Sequence, residues 1–136
     1  MGKSMTKNSG YRHRLGNKGE TVAVHFLKKK GYQILERNFR LERGEIDIIA
    51  KDGDTLVFVE VKTGISGKFG EPEERVDQKK QMQVGKVAME YLQSKNLENV
   101  DCRFDVVAVS RVAGNAHIRH IEDAFWLDPN AAERLF

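Results

Sequence analysis

Two short apolar runs separated by a turn form the most hydrophobic part of the chain. Residues 45–50 and 55–62 are rich in Ile and Val, and Asp52 and Gly53 lie between them. β-Branched residues favour strands, and an Asp-Gly pair favours a tight turn with a positive φ angle. The pattern therefore predicts a β-hairpin with a two-residue loop at Asp52-Gly53.

The periodicity of the remaining chain predicts two helices and three further strands. Apolar residues recur at helical spacing over residues 15–30, where Gly31 ends the helix, and Pro72 begins a second helix that runs to about Ser94. The further strands are predicted at residues 32–41, 103–110 and 117–121, and residues 63–71 form a glycine-rich loop. A meander followed by a helical crossover implies a mixed sheet covered by helices. The predicted fold class is α/β.

Composition and charge narrow the class of protein only a little. The chain has 136 residues, 40% of them hydrophobic, which suits one compact domain. Lys and Arg total 23 against 20 Asp and Glu, and a net charge of +3 permits a nucleic-acid partner without requiring one. Cys102 is the single cysteine, which excludes an intrachain disulfide and suits the cytoplasm. No apolar run approaches the roughly 18 residues that span a bilayer, so no membrane partner is expected.

The beginning of the chain differs in charge from the rest. Residues 1–14 contain Lys3, Lys7, Arg12 and Arg14 and no acidic residue. A flexible, solvated tail is the ordinary interpretation, and a basic arm on a phosphate backbone is the functional alternative. Residues 15–136 are expected to form a single domain, because no repeat or low-complexity linker divides them.

Three charged residues, Asp47, Glu60 and Lys62, interrupt the apolar hairpin. Side chains alternate along a strand, so Glu60 and Lys62 project from the same face about 7 Å apart. A two-residue loop pairs Asp47 with Phe58, which places Asp47 on the face of Glu60 and diagonal to it. A three-residue loop would instead send Glu60 to the other face. The hairpin predicts two carboxylates and an ammonium group in one place.

Two carboxylates that lie close together repel each other unless a positive charge offsets them. Mg²⁺ prefers carboxylate and water oxygens and keeps positions open for a phosphate. A neighbouring lysine can bind a phosphate oxygen or lower the pKa of an attacking water. The alternative is an ordinary salt bridge between Lys62 and Glu60 at a sheet edge. The hairpin alone leaves both interpretations open.

Two further charged residues lie at apolar faces of the predicted helices. Glu20 is at the border of the apolar stripe of the first helix, where the alternative is a solvated acid favoured by the helix dipole. Lys80 falls near the centre of the buried face of the second helix, where the alternative is a snorkelling side chain. The apolar residues of that face are Val76, Val84, Val87 and Tyr91.

These residues stand in motifs that resemble the YraN family. The motifs are Gly19-Glu20, RGEIDIIA at 43–50, FVEVK at 58–62, FG at 69–70, RVDQKK at 75–80 and RFDVV at 103–107. Members of this family are predicted endonucleases of the restriction-endonuclease-like superfamily, and they are similar to archaeal Holliday-junction resolvases. The resemblance covers about residues 15–127, and it implies a three-layer core with an antiparallel meander in a mixed sheet.

The superfamily motif is an acid, a variable gap, then Asp or Glu, one residue and Lys. Asp47, Glu60 and Lys62 match this motif. Glu20 matches the acid that the first helix contributes, and Lys80 matches a lysine of the second helix. The proline that often precedes the first acid is replaced here, a departure that is common among resolvase-like members.

The resemblance implies a metal-dependent endonuclease that hydrolyses DNA. Mg²⁺, for which Mn²⁺ is expected to substitute, is held by Asp47, Glu60 and the backbone carbonyl of Val61. Lys62 orients or deprotonates the attacking water, and Glu20 completes the acidic cluster or binds a second ion. The residues predicted to contact nucleic acid are Lys79, Lys68, Arg43 and Lys80, the last at the scissile or an adjacent phosphate.

Branched or junction DNA belongs to the expected substrate class, although flaps, single strands and RNA remain open. An enzyme that cuts symmetric junctions is expected to act as a homodimer. The runner-up hypothesis is a structure-selective DNA-binding module that keeps the fold and the basic residues but lacks turnover. A purely structural interaction protein is a third hypothesis, and it leaves the charges of the hairpin without a reason.

Overall fold

The computed structural model describes residues 7–65, 77–112 and 114–125. In these segments the elements are α1 (Lys7–Lys29), β1 (Gln33–Leu41), β2 (Gly44–Asp52), β3 (Thr55–Ile65), α2 (Gln78–Ser94), β4 (Cys102–Val112) and β5 (Asn115–Ile121). The predicted order of helix, three strands, helix and two strands is confirmed. Neither of the two described helices is long and apolar enough to cross a membrane.

The strands form one mixed sheet in the order β1-β2-β3-β4-β5. Neighbours pair antiparallel except β3 and β4, which are parallel. α2 connects these two strands, because parallel neighbours cannot be joined by a tight turn. The predicted α/β class is confirmed, with β3 as the central strand of the sheet.

Each face of the sheet carries its own apolar cluster. The cluster on the α1 face contains Ala23, Val24, Leu27, Tyr32, Ile48, Ala50, Val57, Val59, Val107 and Val109. The cluster on the α2 face contains Ile46, Ile49, Leu56, Phe58, Val84, Val87, Ala88, Tyr91, Val106 and Phe125. Successive residues of β3 alternate between the clusters, as the strand period requires. Each fully buried aliphatic or aromatic side chain stabilises the fold by roughly 1.5–3 kcal/mol.

α1 begins at Lys7 and not at the predicted Leu15. Residues 7–14, which were predicted to belong to the tail, are therefore helical. Lys and Arg favour the helix nearly as well as Leu does, and no proline interrupts this segment. The flexibility predicted for the tail remains a prediction for residues 1–6, which lie outside the described residues. Gly31 ends the helix with a φ angle of 96°, as predicted.

α2 begins at Gln78, later than the Pro72 predicted from the sequence. Asp77 is its N-cap: the backbone is extended, and the side chain accepts a hydrogen bond from the backbone N–H of Lys80 at 2.8 Å. An N-cap aspartate satisfies a donor of the first turn and so fixes where the helix starts. Pro72 and Val76 lie outside the described residues.

β3 extends further than its apolar run predicts. Its parallel pairing with β4 continues through Thr63, Gly64 and Ile65, which were predicted to belong to the glycine-rich loop. Thr63 and Ile65 favour strands, and the main-chain hydrogen bonds with β4 carry the strand across Gly64, whose strand propensity is low. The remainder of the predicted loop lies outside the described residues.

The β2–β3 hairpin has a register two residues away from the predicted one. Asp52 pairs with Thr55, and Gly53 is the first loop residue with a φ angle of 62°. Glycine at this position is typical of a type II′ turn. A shift of two residues keeps each side chain of β3 on its predicted face, but it brings Asp47 across from Glu60.

Candidate active site

The sheet opens between β2 and β3 at the level of the charged residues. The last paired residues are Ile48 and Val59, although β2 begins at Gly44 and β3 continues to Ile65. We call the opening between residues 44–47 and 60–65 the fork. At its start, Oδ2 of Asp47 accepts a hydrogen bond from the backbone N–H of residue 61 at 2.8 Å. A side-chain carboxylate thus takes the place of a main-chain carbonyl.

Asp47 and Glu60 lie across from each other where the fork begins. Both lie one position beyond the last β2–β3 pair, which is Ile48 with Val59. Asp47 is only 8% exposed and Glu60 only 7%. Burial raises the pKa of Asp47 above its ordinary value. Burial and the negative charge of Asp47 raise the pKa of Glu60 to about 7. Carboxylates in such surroundings favour a proton or a cation between them.

Two lysines approach the same oxygen of Glu60. Nζ of Lys62 lies 3.7 Å from Oε2 of Glu60, and Nζ of Lys80 lies 3.5 Å from it. The ion pair considered as an alternative from the sequence is therefore present, but it lies on the central strand and not at a sheet edge. Lys80 belongs to the first turn of α2, where the helix dipole disfavours a cation. Its position is explained by Glu60 and not by the stability of the helix.

Glu20 reaches the fork from α1. The preceding residue, Gly19, packs so closely on β3 that a Cβ atom there would clash with the side chain of Thr63. Burial and the charge of Asp47 raise the pKa of Glu20, whereas a hydrogen bond with the side chain of Asn38 lowers it. Oε1 of Glu20 is buried and has no hydrogen-bond partner among the described residues. The fork therefore gathers Glu20, Asp47 and Glu60 from three elements.

Three of the four residues predicted to contact nucleic acid lie at or beside the fork. Arg43 is exposed in the β1–β2 turn, and its carbonyl accepts a hydrogen bond from Nε2 of Gln83 on α2 at 2.8 Å. This turn borders an open groove of about 260 Å³. Lys79 is exposed at the beginning of α2, one residue before Lys80. Lys68 lies outside the described residues.

The carboxylate oxygens at the fork are ligands of the type that binds a hard divalent cation. Carboxylate oxygens are the ligands that Mg²⁺ and Mn²⁺ prefer, and Oε1 of Glu20 is a buried oxygen without a partner. In the described part of the chain, however, no three such side chains are already arranged around one point. Glu60 is instead engaged by its two lysines. A cation at the fork would therefore require side-chain movement.

Sequence reasoning missed Asn38, which lies in β1 beside the fork. It has a φ angle of 52° and lies between the pairs Arg37–Ile48 and Phe39–Ile46, so it faces Asp47. Asn is depleted in strands and enriched at positive φ. An Asn in the middle of a predicted strand was the available signal.

A second buried charged cluster, also missed, lies on the α1 face of the sheet. Asp105 is 0% exposed and accepts two hydrogen bonds from Arg103, both at 2.9 Å. Nε2 of His120 lies 2.7 Å from Oδ2 of the same carboxylate, and the backbone N–H of Asp123 donates to Oδ1 at 3.0 Å. Burial alone would raise the pKa of Asp105, but these hydrogen bonds lower it below its ordinary value.

Comparison with known proteins places the chain in a family. Residues 19–109, which include Glu20, Asp47, Glu60, Lys62 and Lys80, match the model of a family described as Uncharacterised protein family UPF0102. A UPF0102 protein of Syntrophus aciditrophicus (strain SB) is 51% identical over 114 residues, which cover 84% of this chain and 90% of that protein. One of Alkaliphilus oremlandii (strain OhILAs) is 50% identical over 114 residues, which cover 82% and 97%. The chain belongs to the uncharacterised family UPF0102, the YraN family that its motifs resemble.

Proposed function

We propose that the protein is a metal-dependent endonuclease that hydrolyses DNA phosphodiester bonds. The observation that carries the proposal is the fork, where two nearly buried carboxylates face two lysines within 4 Å of one of them. Burying charges is unfavourable, and groups with strongly shifted pKa values gather preferentially at functional sites. The resemblance to the restriction-endonuclease-like superfamily supports the same function.

The charges of the fork explain why a cation would bind there. Glu20, Asp47 and Glu60 carry three potential negative charges, against two positive charges from Lys62 and Lys80. Each of the three carboxyl groups has a raised pKa, so the local positive charge does not satisfy them. A bound Mg²⁺ or Mn²⁺ would offset this repulsion, polarise the phosphate and lower the pKa of an attacking water.

Four charged side chains at the fork then have roles in the reaction. Asp47 and Glu60 would hold the cation with the carbonyl of Val61, and the backbone N–H of Val61 fixes the orientation of Asp47. Lys62 orients the water that attacks the phosphorus, or accepts the proton of that water at Nζ. Lys80 donates to a non-bridging oxygen of the scissile or the adjacent phosphate.

The substrate contacts extend from the fork over the nearby basic residues. Arg43 and Lys79 are exposed on the two elements that flank it, where they can neutralise neighbouring phosphates. The resemblance to junction resolvases supports branched DNA as the substrate. An enzyme acting on symmetric junctions would work as a homodimer. A cytoplasmic location, which the single cysteine favours, gives access to such DNA.

The second candidate function is a DNA-binding module of the same specificity that has no turnover. One observation favours it: in the described residues, the acids are not already arranged as a metal site. In that case the ion pairs of Glu60 with Lys62 and Lys80 are the final state of the fork.

A cleavage panel separates the two functions. Labelled duplex, flap, four-way junction and single-stranded DNA are incubated with Mg²⁺, Mn²⁺ or EDTA and the wild type, Lys62→Ala or Lys51→Ala. Lys51 is exposed on β2 away from the fork and serves as the matched lysine control. We expect cation-dependent cleavage that Lys62→Ala abolishes and Lys51→Ala retains. DNA binding without cleavage under every condition would support the second function instead.

A further inference from the structure

The first turn of α2 contains two cations where a helix favours anions. Lys79 and Lys80 are its second and third residues, and the turn has no acidic residue. The N-terminus is the positive end of the helix dipole, so a cation there is unfavourable. Asp77, the N-cap, places a negative charge immediately before them. This first turn therefore depends on its cap more than an ordinary one would.

Asp77 and Lys80 form one half of a capping box. Oδ1 of Asp77 accepts a hydrogen bond from the backbone N–H of Lys80 at 2.8 Å, and the carbonyl of Asp77 accepts one from the N–H of Gln81 at 2.9 Å. In the complete motif the third residue after the cap is Glu or Gln, whose side chain returns to the backbone N–H of the cap. Lys80 occupies that position, but an ammonium group has only donors and cannot accept this bond. Its side chain is therefore left for another partner.

The side chain of Lys80 crosses to the sheet instead. Its Nζ lies 3.5 Å from Oε2 of Glu60, which is nearly buried. Gln83 lies three residues further along the same helix face and donates to the carbonyl of Arg43 in the β1–β2 turn at 2.8 Å. Two side chains of one face thus connect the beginning of α2 with both sides of the fork.

We propose that Asp77 is a positioning residue that holds Lys80 at the fork. Its carboxylate binds the backbone N–H of Lys80 and so fixes the point from which the lysine side chain extends. The first N–H groups of a helix have no partner within the helix, and the ends of helices fray. Without the cap the first turn opens, and Lys80 leaves Glu60. Asp77 itself contacts neither the cation nor the DNA.

This inference rests on the proposed function, in which Lys80 donates to a phosphate oxygen. It predicts an effect opposite in sign to that of simple charge removal. Removing a carboxylate near phosphates should strengthen DNA binding, because a repulsion disappears. Removing the cap should weaken DNA binding, because Lys80 is no longer held in place. Two substitutions separate these effects: Asp77→Asn removes the charge and keeps a good N-cap, whereas Asp77→Ala removes both.

The test compares the two charge-matched variants, each with Lys80 and in a Lys80→Ala background. Affinity for a labelled four-way junction is measured by fluorescence anisotropy. We expect Asp77→Ala to bind roughly 2- to 5-fold more weakly than Asp77→Asn, the scale of a typical N-cap. In the Lys80→Ala background this ratio should fall towards one, because the lysine that the cap positions is absent. Equal affinity of the two variants with Lys80 present, or a ratio that survives Lys80→Ala, would overturn the proposal.

A second measurement needs neither DNA nor metal. Acetylation of Lys80 by acetic anhydride is followed by mass spectrometry, with the exposed Lys79 as the internal reference. Lys80 is partly buried and ion-paired, so we expect it to react more slowly than Lys79 in the wild type and in Asp77→Asn. In Asp77→Ala the two lysines should react at similar rates.

Equal protection of Lys80 in Asp77→Ala and Asp77→Asn would mean that the cap does not position its side chain, and the proposal would be wrong. A wild type that neither binds nor cuts DNA would refute the proposed function instead. The acetylation rates would still decide the role of Asp77, because they depend only on where the cap holds Lys80.

Discussion

Glu60 and Asp105 are buried carboxylates at neighbouring positions of the two central strands, yet their surroundings have little in common. The parallel register pairs Val59 with Asp105 and Glu60 with Val106, so the two acids are one position apart along the strands. Their side chains point to opposite faces. Asp105 lies on the α1 face near His120, and Glu60 faces Lys80 of α2.

The two carboxylates differ in how completely their oxygens are used. Asp105 has four polar contacts between 2.7 and 3.0 Å, and its pKa is lowered. Glu60 has two ion pairs at 3.5 and 3.7 Å, and burial and Asp47 raise its pKa to about 7. Charge-assisted hydrogen bonds in proteins are typically about 2.7–2.9 Å long. The oxygens of Asp105 are fully engaged within the fold, whereas Glu60 keeps capacity to bind a further group.

The largest expected effect is the loss of stability in Asp105→Asn. The substitution leaves the guanidinium of Arg103, whose side chain is 18% exposed, without its main ion-pair partner. Breaking a buried ion pair in this way costs about 3–5 kcal/mol of unfolding free energy. Urea denaturation measures this loss. A loss below about 1 kcal/mol, within the ordinary range of single substitutions, would show that the hydrogen-bonded cluster does not support the fold.

The second expected effect is stabilisation by the cation. An ion that binds only the folded protein adds about 2.7 kcal/mol at 100 times its dissociation constant. Melts with Mg²⁺ or Mn²⁺ should therefore rise for the wild type and much less for Glu60→Gln. The metal-induced rise should persist in Asp105→Asn if that variant folds, because Asp105 lies on the other face of the sheet. If millimolar metal shifts no melt, the acids of the fork are structural.

Sequence patterns found the charged residues of the fork more readily than their arrangement. Charged positions in apolar strands identified Glu60 and Lys62, and helical periodicity identified Lys80. The register could not be settled, because an Asp-Gly pair allows glycine at either loop position. The fork itself depends on how β1 and β2 distort opposite each other at Asn38 and Asp47, and the one local signal of this is an Asn in the middle of a predicted strand.

The hydrogen-bonded cluster was less visible in the sequence than the fork. Arg103 and Asp105 stand two residues apart in RFDVV, a spacing that places both on one face of a strand. Their partner His120 comes from β5, and only the β4–β5 register brings it to Asp105. A buried acid cannot be judged satisfied or unsatisfied until the partners from other strands are known.

The third expected effect is a gain in stability for metal-free Glu60→Gln, opposite in sign to that of Asp105→Asn. At neutral pH the amide should stabilise the protein by about 0.5–2 kcal/mol, since it removes a carboxylate that burial and Asp47 disfavour. Lys62 and Lys80 tolerate the change, because their side chains are 27% and 30% exposed to water. Chemical denaturation of the metal-free proteins gives the difference. A destabilised Glu60→Gln would mean that its ion pairs stabilise the fold.

The pH dependence of this difference follows from the raised pKa of Glu60. The folded protein binds a proton at Glu60 that the unfolded chain has released, between the ordinary value of 4.5 and about 7. The stability contributed by the protonated carboxyl is therefore present below pH 4.5 and is lost as the pH rises through 7. The advantage of Glu60→Gln should accordingly shrink towards zero on acidification. An advantage that is independent of pH would contradict the raised pKa.

The smallest expected effect concerns Lys80 and DNA affinity. Lys80→Ala should bind DNA more weakly than the wild type, with a dependence on salt that is shallower by about one counterion, because one phosphate contact is lost. Lys30→Ala is the matched control. Lys30 lies on the α1 face, where Nζ contacts Nδ1 of His120 at 2.9 Å, so its removal should leave the salt dependence unchanged. Fluorescence anisotropy at several salt concentrations gives both slopes. If the two variants change the slope equally, the basic residues of the fork have no special place in DNA binding, and only the general charge of the protein attracts the nucleic acid.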